Sequence, residues 1–96
     1  MKRGYDYAVK FTIKEVDGAG VQTPMDLTGV TPTYMIDGKA LGTATVASPA
    51  TAGVVDVLVD EVDTIKVDRG RWKAWLQVVN GSDKKYYGEY FVEVWD

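Results

Sequence analysis

"RWKAWLQVVNGSDKKYYGEYFVEVW", residues 71–95, decides the fold, because it contains two runs in which apolar and polar side chains alternate. Alternation with a period of two places successive side chains on opposite faces of a β-strand. The cleaner apolar face is even-numbered in both runs: Trp72, Ala74, Leu76 and Val78 in the first, and Tyr86, Gly88, Tyr90, Val92 and Val94 in the second. The stretch therefore predicts an antiparallel hairpin with one buried face.

The parity of these positions predicts how the two strands are connected. A two-residue turn at Asn80-Gly81 would pair residue 79 with residue 82 and set even positions opposite odd ones. That register would turn the apolar face of one strand outward. We therefore predict a loop of three or five residues with Gly81 in a bulge conformation, which keeps both apolar faces on one side.

The other face of this hairpin carries large aromatic side chains where polar residues are usual. Arg71 and Lys73 alternate with them on one strand, and Glu89 and Glu93 on the other, so cross-strand ion pairs are expected. An exposed aromatic stripe is typical of a partner surface or an oligomer contact. The alternative is that the amino-terminal segment or a second sheet covers it. The candidate partner-binding residues are Trp75, Tyr87, Phe91 and Trp95.

The amino-terminal part of the chain predicts a further strand over residues 5–14, "YDYAVKFTIK". Its apolar face consists of Tyr5, Tyr7, Val9, Phe11 and Ile13. The glycines of "DGAG", residues 17–20, end this strand because they favour positive φ. Tyr5, Tyr7, Phe11, Trp72 and Tyr90 are all predicted to be core aromatics.

The middle of the chain predicts three more strands. Asp37-Gly38 is typical of a type I′ turn, which joins a strand near residues 30–36 to one that runs to Ala47, with Met35 opposite Ala40. "VVDVLV", residues 54–59, is a β-branched run that suits a buried strand.

Residues 60–70 predict a crossover between sheets, with at most a turn or two of helix. Val59, Val62 and Ile65 are spaced three apart and are expected to cap the core. Asp60, Glu61 and Asp63 are oxygen ligands of the kind calcium prefers, and paired carboxylates also serve glycoside hydrolysis. The simpler interpretation is a solvated loop, and we predict no metal site and no catalytic site here.

These elements predict one all-β domain over residues 1–96. The chain has 96 residues, of which 46% are hydrophobic, and this is enough for one core without disulfides or a metal. The expected fold is a single antiparallel β-sandwich with immunoglobulin-like Greek-key connections, six to seven strands and at most one short helical turn.

The composition argues against several functions. The chain has no histidine and no cysteine, so the commonest catalytic base, thiol nucleophile and zinc ligands are missing, and no glycine-rich phosphate motif occurs. We expect neither an enzyme nor a bound cofactor. A net charge of -3, with basic residues spread among acidic ones, argues against nucleic-acid binding. No secretory signal or membrane span is expected, and we predict synthesis in the cytoplasm.

Several short motifs occur in a recognisable order: "VKFTIK", "DLTGVTPTYMI", "GVVDVLV", "RGRWKAWLQVV" and "GEYFVEVW". In this order they resemble the small immunoglobulin-like β-sandwich modules of tailed-phage structural proteins, and are most similar to the amino-terminal domain of the BppU family of baseplate upper proteins. The resemblance covers nearly the whole chain. The sequence differs from those of the family in that no long helical or fibre-forming segment follows the module.

The resemblance implies a non-enzymatic structural or assembly protein of a phage or prophage particle, in its tail, baseplate or head-tail region. Its partners would be other particle proteins and itself, as a homo-oligomer, and its location would be the virion after synthesis in the host cytoplasm. No family catalytic residue exists to carry over. The alternative is a carbohydrate-binding or adhesin-type β-sandwich module, because exposed tryptophan and tyrosine side chains stack on sugar rings.

Overall fold

The computed structural model describes residues 1–96 and is mostly β, with antiparallel sheets and one turn of α-helix. The predicted all-β class is therefore confirmed. The elements are β1 Tyr7–Thr12, β2 Lys14–Val16, β3 Gln22–Pro24, β4 Thr31–Ile36, β5 Lys39–Ala40, β6 Thr43–Val46, β7 Val54–Val59, α1 Glu61–Thr64, β8 Gly70–Asn80 and β9 Asp83–Val94. A short 3-10 turn covers Ala50–Ala52.

The strands form three sheets rather than one continuous pair. A three-stranded sheet has the order β1-β7-β6, a four-stranded sheet has the order β5-β4-β8-β9, and β2 pairs only with β3. The two larger sheets contribute to one apolar cluster. Its buried members are Met1, Phe11, Ile13, Leu27, Tyr34, Ile36, Val55, Val57, Val59, Ala74, Leu76, Val78, Val92 and Val94.

The strand count of nine corrects the expected six to seven. The predicted first strand divides at Ile13, whose backbone N–H bonds the Gly53 carbonyl and whose carbonyl accepts from Met25. Beyond this point the chain leaves the three-stranded sheet and forms the β2-β3 hairpin. Alternation continues through the break, so periodicity alone does not reveal it.

The predicted third strand also divides, because the chain passes from one sheet to the other. Asp37 and Gly38 have positive φ values of 52° and 75°, and Met35 lies opposite Ala40, which confirms the predicted turn and its register. After Gly42 the chain pairs with β7 in the three-stranded sheet.

The β8-β9 hairpin has a two-residue turn, so the predicted loop of three or five residues is wrong. Asn80 lies opposite Asp83 across Gly81 and Ser82. The register shifts between Ala74 and Leu76, where Gly88 has a φ of 65°. The bulge that parity requires is therefore present, but in the middle of the strand.

The Asp26-Leu27-Thr28-Gly29 segment is a structural corner. The Asp26 carboxylate accepts from the Thr28 backbone at 3.0 Å and from its hydroxyl at 2.6 Å. These two bonds, that of the hydroxyl first, hold the pKa of Asp26 below its usual value. Leu27 is 1% exposed and seals the core, and Gly29 has a φ of 75° that lets β4 begin.

The crossover caps the core with different residues from those expected. Val59 is buried, but Val62 and Ile65 are exposed. Their place is taken by Thr64, a buried residue whose hydroxyl donates to the Tyr5 carbonyl at 2.9 Å and accepts from the Gly4 backbone at 3.0 Å. These bonds fasten the amino-terminal segment to α1.

The Tyr5 side chain itself is 58% exposed, so the prediction that Tyr5 belongs to the core is wrong. β1 begins only at Tyr7, and the Lys2 ammonium lies 4.4 Å from the Tyr5 ring centroid. The other inward positions of the predicted first strand agree with the prediction: Tyr7, Val9, Phe11 and Ile13 all pack in or against the core.

Candidate functional site on the last hairpin

The outer face of the four-stranded sheet is the most distinctive surface of the molecule. Trp75 lies near its centre, opposite Met35 of β4. Its ring packs edge to face on Tyr86, with 6.2 Å between the centroids and an interplanar angle of 90°. The Trp75 indole nitrogen is buried without a hydrogen-bond partner. Trp75 and Tyr86 therefore pack together on this face.

Phe91 is the exposed aromatic at the next position along this face. Its side chain is 56% exposed, and the Arg71 guanidinium lies 4.5 Å from the ring centroid. The Lys73 ammonium lies 5.9 Å from the same centroid and 3.3 Å from the Glu89 carboxylate. The predicted Lys73–Glu89 ion pair is therefore present. The Phe91 ring is therefore surrounded by the charged groups of Arg71, Lys73 and Glu89. Such a surface offers both apolar and polar contacts.

Trp95 lies at the end of this face, and its backbone is firmly held. Its N–H donates to the Met1 carbonyl at 3.2 Å, and its carbonyl accepts from Arg3 at 2.8 Å. The Asp96 carboxylate then bridges Arg3 at 2.9 Å and Arg69 at 3.0 Å. The indole side chain is nevertheless 52% exposed, so it is available for contacts.

The structure places three of the four predicted residues on the outer face and moves the fourth. Tyr87 lies opposite Leu76 and packs against the core, which corrects its predicted placement. Tyr86, which is 59% exposed, occupies the outer face instead. The bulge at Gly88 causes the exchange, because it reverses which positions point outward. A glycine inside a strand was the sequence signal for this bulge.

The outer-face aromatics, now Trp75, Tyr86, Phe91 and Trp95, do not form one continuous stack. Trp75 and Tyr86 touch, whereas Phe91 packs with Arg71 and Lys73. The amino-terminal residues pair with the edge of β9 through its last backbone groups, and the residues Tyr86, Phe91 and Trp95 each remain more than half exposed. Neither the amino terminus nor a second sheet covers them.

A partly buried chain of three tyrosine hydroxyls joins the two larger sheets. The Tyr90 hydroxyl lies 2.8 Å from that of Tyr34 and 3.0 Å from that of Tyr7. Burial, the largest cause, raises the pKa of both Tyr34 and Tyr90 well above the ordinary tyrosine value. Such hydroxyls stay protonated at neutral pH, so they act as structural hydrogen-bonding groups and are unsuited to accept protons.

The acidic segment around α1 is engaged in local structure. Asp60 caps the helix by accepting from the Asp63 backbone at 3.2 Å, and Asp6 accepts from the Glu61 backbone at 3.0 Å. The Asp63 carboxylate lies 3.3 Å from the Lys66 ammonium. No group of three or more potential metal-ligating side chains is brought together.

Two surface depressions lie elsewhere on the molecule. A groove of about 590 Å³ runs over the outer face of the three-stranded sheet and includes Lys10, Asp56 and Leu58. A crevice of about 240 Å³ lies beside Trp72, whose indole N–H donates to the Asp68 carbonyl at 2.8 Å. Neither brings together the acid, base and nucleophile of a recognisable catalytic site. No helix has the length and apolar character to span a bilayer.

Comparison of the chain with protein-family models, with curated proteins and with solved structures finds no match in any of the three. Support for a function therefore comes from the geometry of the outer face and from the sequence motifs.

Proposed function

We propose that this protein is a non-enzymatic structural or assembly component of a phage or prophage particle, acting through protein–protein contacts. The observation that carries the proposal is the outer face of the last hairpin, where Tyr86, Phe91 and Trp95 are each more than half exposed. Aromatic side chains and arginine are the residues enriched where protein interfaces bind most strongly. Arg71 over the Phe91 ring supplies both on one patch.

The fold that we propose with this function is an immunoglobulin-like β-sandwich with Greek-key connections. Support comes from the core cluster, to which the three-stranded and four-stranded sheets both contribute. The passage of the chain between the sheets after β5 is further support, since strands that change sheets occur in sandwich folds. The ordered motifs of the sequence favour the same family of phage modules.

The test is co-purification of the protein with particles from the host that encodes it, followed by substitution of the patch. Phe91→Ala together with Trp95→Ala should reduce incorporation into particles at least about tenfold, because exposed aromatics at a contact are frequent hot spots. Leu58→Ala is the matched control, since Leu58 is 53% exposed on the other sheet. Equal incorporation of both variants, or absence of the wild-type protein from particles, would contradict the proposal.

The second candidate is a carbohydrate-binding or adhesin-type module, favoured by the exposed Tyr86 and Trp95 rings. Stacking on a sugar requires a free ring face, whereas the Phe91 face is already occupied by Arg71. A glycan array with the wild type and Trp95→Ala separates the two functions. Glycan binding that is lost in the variant would support the adhesin and count against particle assembly.

A further inference from the structure

The longest exposed edge in the molecule belongs to β9, the last strand of the four-stranded sheet. β8 pairs with one side of it, and on the other side only the amino-terminal residues pair, at Glu93 and Trp95. Residues 83–92 therefore present an unpaired edge. Such edges are templates for pairing with another chain unless charges or bulges restrict them.

We propose that β9 pairs antiparallel with β9 of a second copy about a two-fold axis between Gly88 and Glu89, joining the two four-stranded sheets into one. In this register Lys84 lies opposite Glu93 of the second copy, and Tyr86 lies opposite its Phe91. The inference rests on the proposed function in treating the last hairpin as a contact surface. It commits to one of the expected partners, a second copy of the chain, and adds the strand and the register through which the two copies pair.

The bulge makes this pairing consistent with the two faces of the sheet. Before the bulge the outward side chains are even-numbered, since Tyr86 lies opposite Gln77, and after it they are odd-numbered, since Phe91 lies opposite Lys73. Residues directly opposite in an antiparallel pair share a face. An even position of one copy must therefore meet an odd position of the other, as Tyr86 and Phe91 do here.

The backbone hydrogen-bonding groups agree with the same register. Asn80 and Asp83 flank a two-residue turn and bond each other, so alternation turns the backbone groups of Lys84 and Tyr86 away from β8. At the other end both backbone groups of Trp95 bond the amino-terminal segment on the free side. Alternation then turns those of Phe91 towards the free edge. Tyr86 and Phe91 thus form a hydrogen-bonded pair.

Charge along the edge is self-complementary. Lys84 precedes the bulge and Glu93 follows it, and neither side chain has a salt-bridge partner within the chain. Near the two-fold axis Glu89 is neutralised by Lys73 at 3.3 Å. The Glu93 carbonyl already accepts from the Met1 ammonium at 2.7 Å, so the backbone pairing ends at Phe91, and beyond it only the side chains of Lys84 and Glu93 meet. The lysine and the bulge therefore select one register.

The first experiment is charge reversal, read by sedimentation equilibrium over a wide range of protein concentrations. The wild type should form a dimer, and Lys84→Glu should weaken it at least about tenfold, because the dimer then contains two like-charged pairs. Glu93→Lys should do the same. An equimolar mixture of the two variants should recover the dimer, since every carboxylate along the edge then meets an ammonium group of the other variant. Lys14→Glu and Glu15→Lys on β2 are matched controls, expected to dimerise as the wild type does.

The second experiment tests the register directly, and it is simple because the chain has no native cysteine. A mixture of Tyr86→Cys and Phe91→Cys should form a disulfide-linked heterodimer on mild oxidation, because opposite residues in a hydrogen-bonded pair are about 5.5 Å apart at Cα. A shift of the register by two residues would set residue 86 opposite residue 89 of the second copy. A disulfide in a mixture of Tyr86→Cys and Glu89→Cys would therefore indicate the shifted register. Cross-linking in that mixture alone would overturn the proposal.

Two further results would also overturn it: a wild-type protein that remains monomeric at every concentration, and a Lys84→Glu variant that dimerises as strongly as the wild type. Neither result bears on particle incorporation of the Phe91 and Trp95 variants. A monomer whose incorporation still depends on those rings would refute self-pairing and leave the proposed function standing.

Discussion

Gly88 is the residue on which the geometry of the outer face of the last hairpin depends. Its φ is 65°, and a Cβ placed there would lie 2.8 Å from two ring atoms of Phe11. The bulge therefore requires both a left-handed backbone and the absence of a side chain. It exchanges Tyr86 and Tyr87 between the two faces of β9, which sets the aromatic composition of the outer face.

We expect Gly88→Ala to lower the free energy of unfolding by at least about 2 kcal/mol, through left-handed strain and collision with Phe11. Gly29→Ala is the control, because Gly29 has a similar φ of 75° but open space around it. It should cost about 1 kcal/mol, from strain alone. Urea denaturation measures both. Equal losses would show that the contact with Phe11 contributes nothing.

At the level of elements, α1 matters as an anchor for the amino-terminal segment. Its Thr64 is buried, and one hydroxyl bonds both the Gly4 N–H and the Tyr5 carbonyl. The segment that these bonds hold also pairs with the end of β9. One turn of helix thereby fixes how far the free edge of β9 extends.

We predict that Thr64→Val lowers stability by about 1–3 kcal/mol, because it leaves partly buried backbone groups without partners. The specific measurement is hydrogen exchange of the Gly4 amide, which should become faster. Thr64→Ser keeps the hydroxyl and should retain protection of that amide despite the lost methyl group. If both variants exchange alike, the hydroxyl is not the anchor.

For the whole molecule, the tyrosine chain is the polar link between the two larger sheets. Tyr7 belongs to the three-stranded sheet, and Tyr34 and Tyr90 belong to the four-stranded sheet. The Tyr90 hydroxyl lies between the other two and forms a hydrogen bond with each of them. The link is therefore most sensitive to changes at Tyr90.

The raised pKa values of Tyr34 and Tyr90 predict loss of stability in alkali. An unfolded tyrosine loses its proton near pH 10, while the folded protein keeps these two protonated. The unfolded state then binds fewer protons, so the stabilisation is complete below about pH 10 and is lost as pH rises further. Urea unfolding measured between about pH 8 and 12 should show this fall.

Tyr90→Phe should cost about 1–3 kcal/mol at pH 8, because it leaves the Tyr34 hydroxyl buried without its partner. It should also flatten the alkaline fall in stability. Tyr5→Phe is the control, since Tyr5 is 58% exposed, and it should leave both quantities unchanged. An alkaline fall of the same steepness in Tyr90→Phe would contradict the assignment.

Much of the local structure could be predicted from the sequence. The Asp37-Gly38 turn and the inward faces of β1 and β8 all follow from side-chain alternation and turn chemistry, which act over a few residues. The outer positions of Trp75, Phe91 and Trp95 follow from the same alternation. The function of these residues remains a proposal.

By itself the sequence determined an all-β chain, most of its inward faces and an aromatic outer face on the last hairpin. Only the tertiary structure decided where strands break, at Ile13 and Gly42, and where the bulge lies, at Gly88. The physical reason is that a period of two describes one strand at a time. Sheet partners and the close approach of Gly88 to Phe11 arise between segments far apart in the chain.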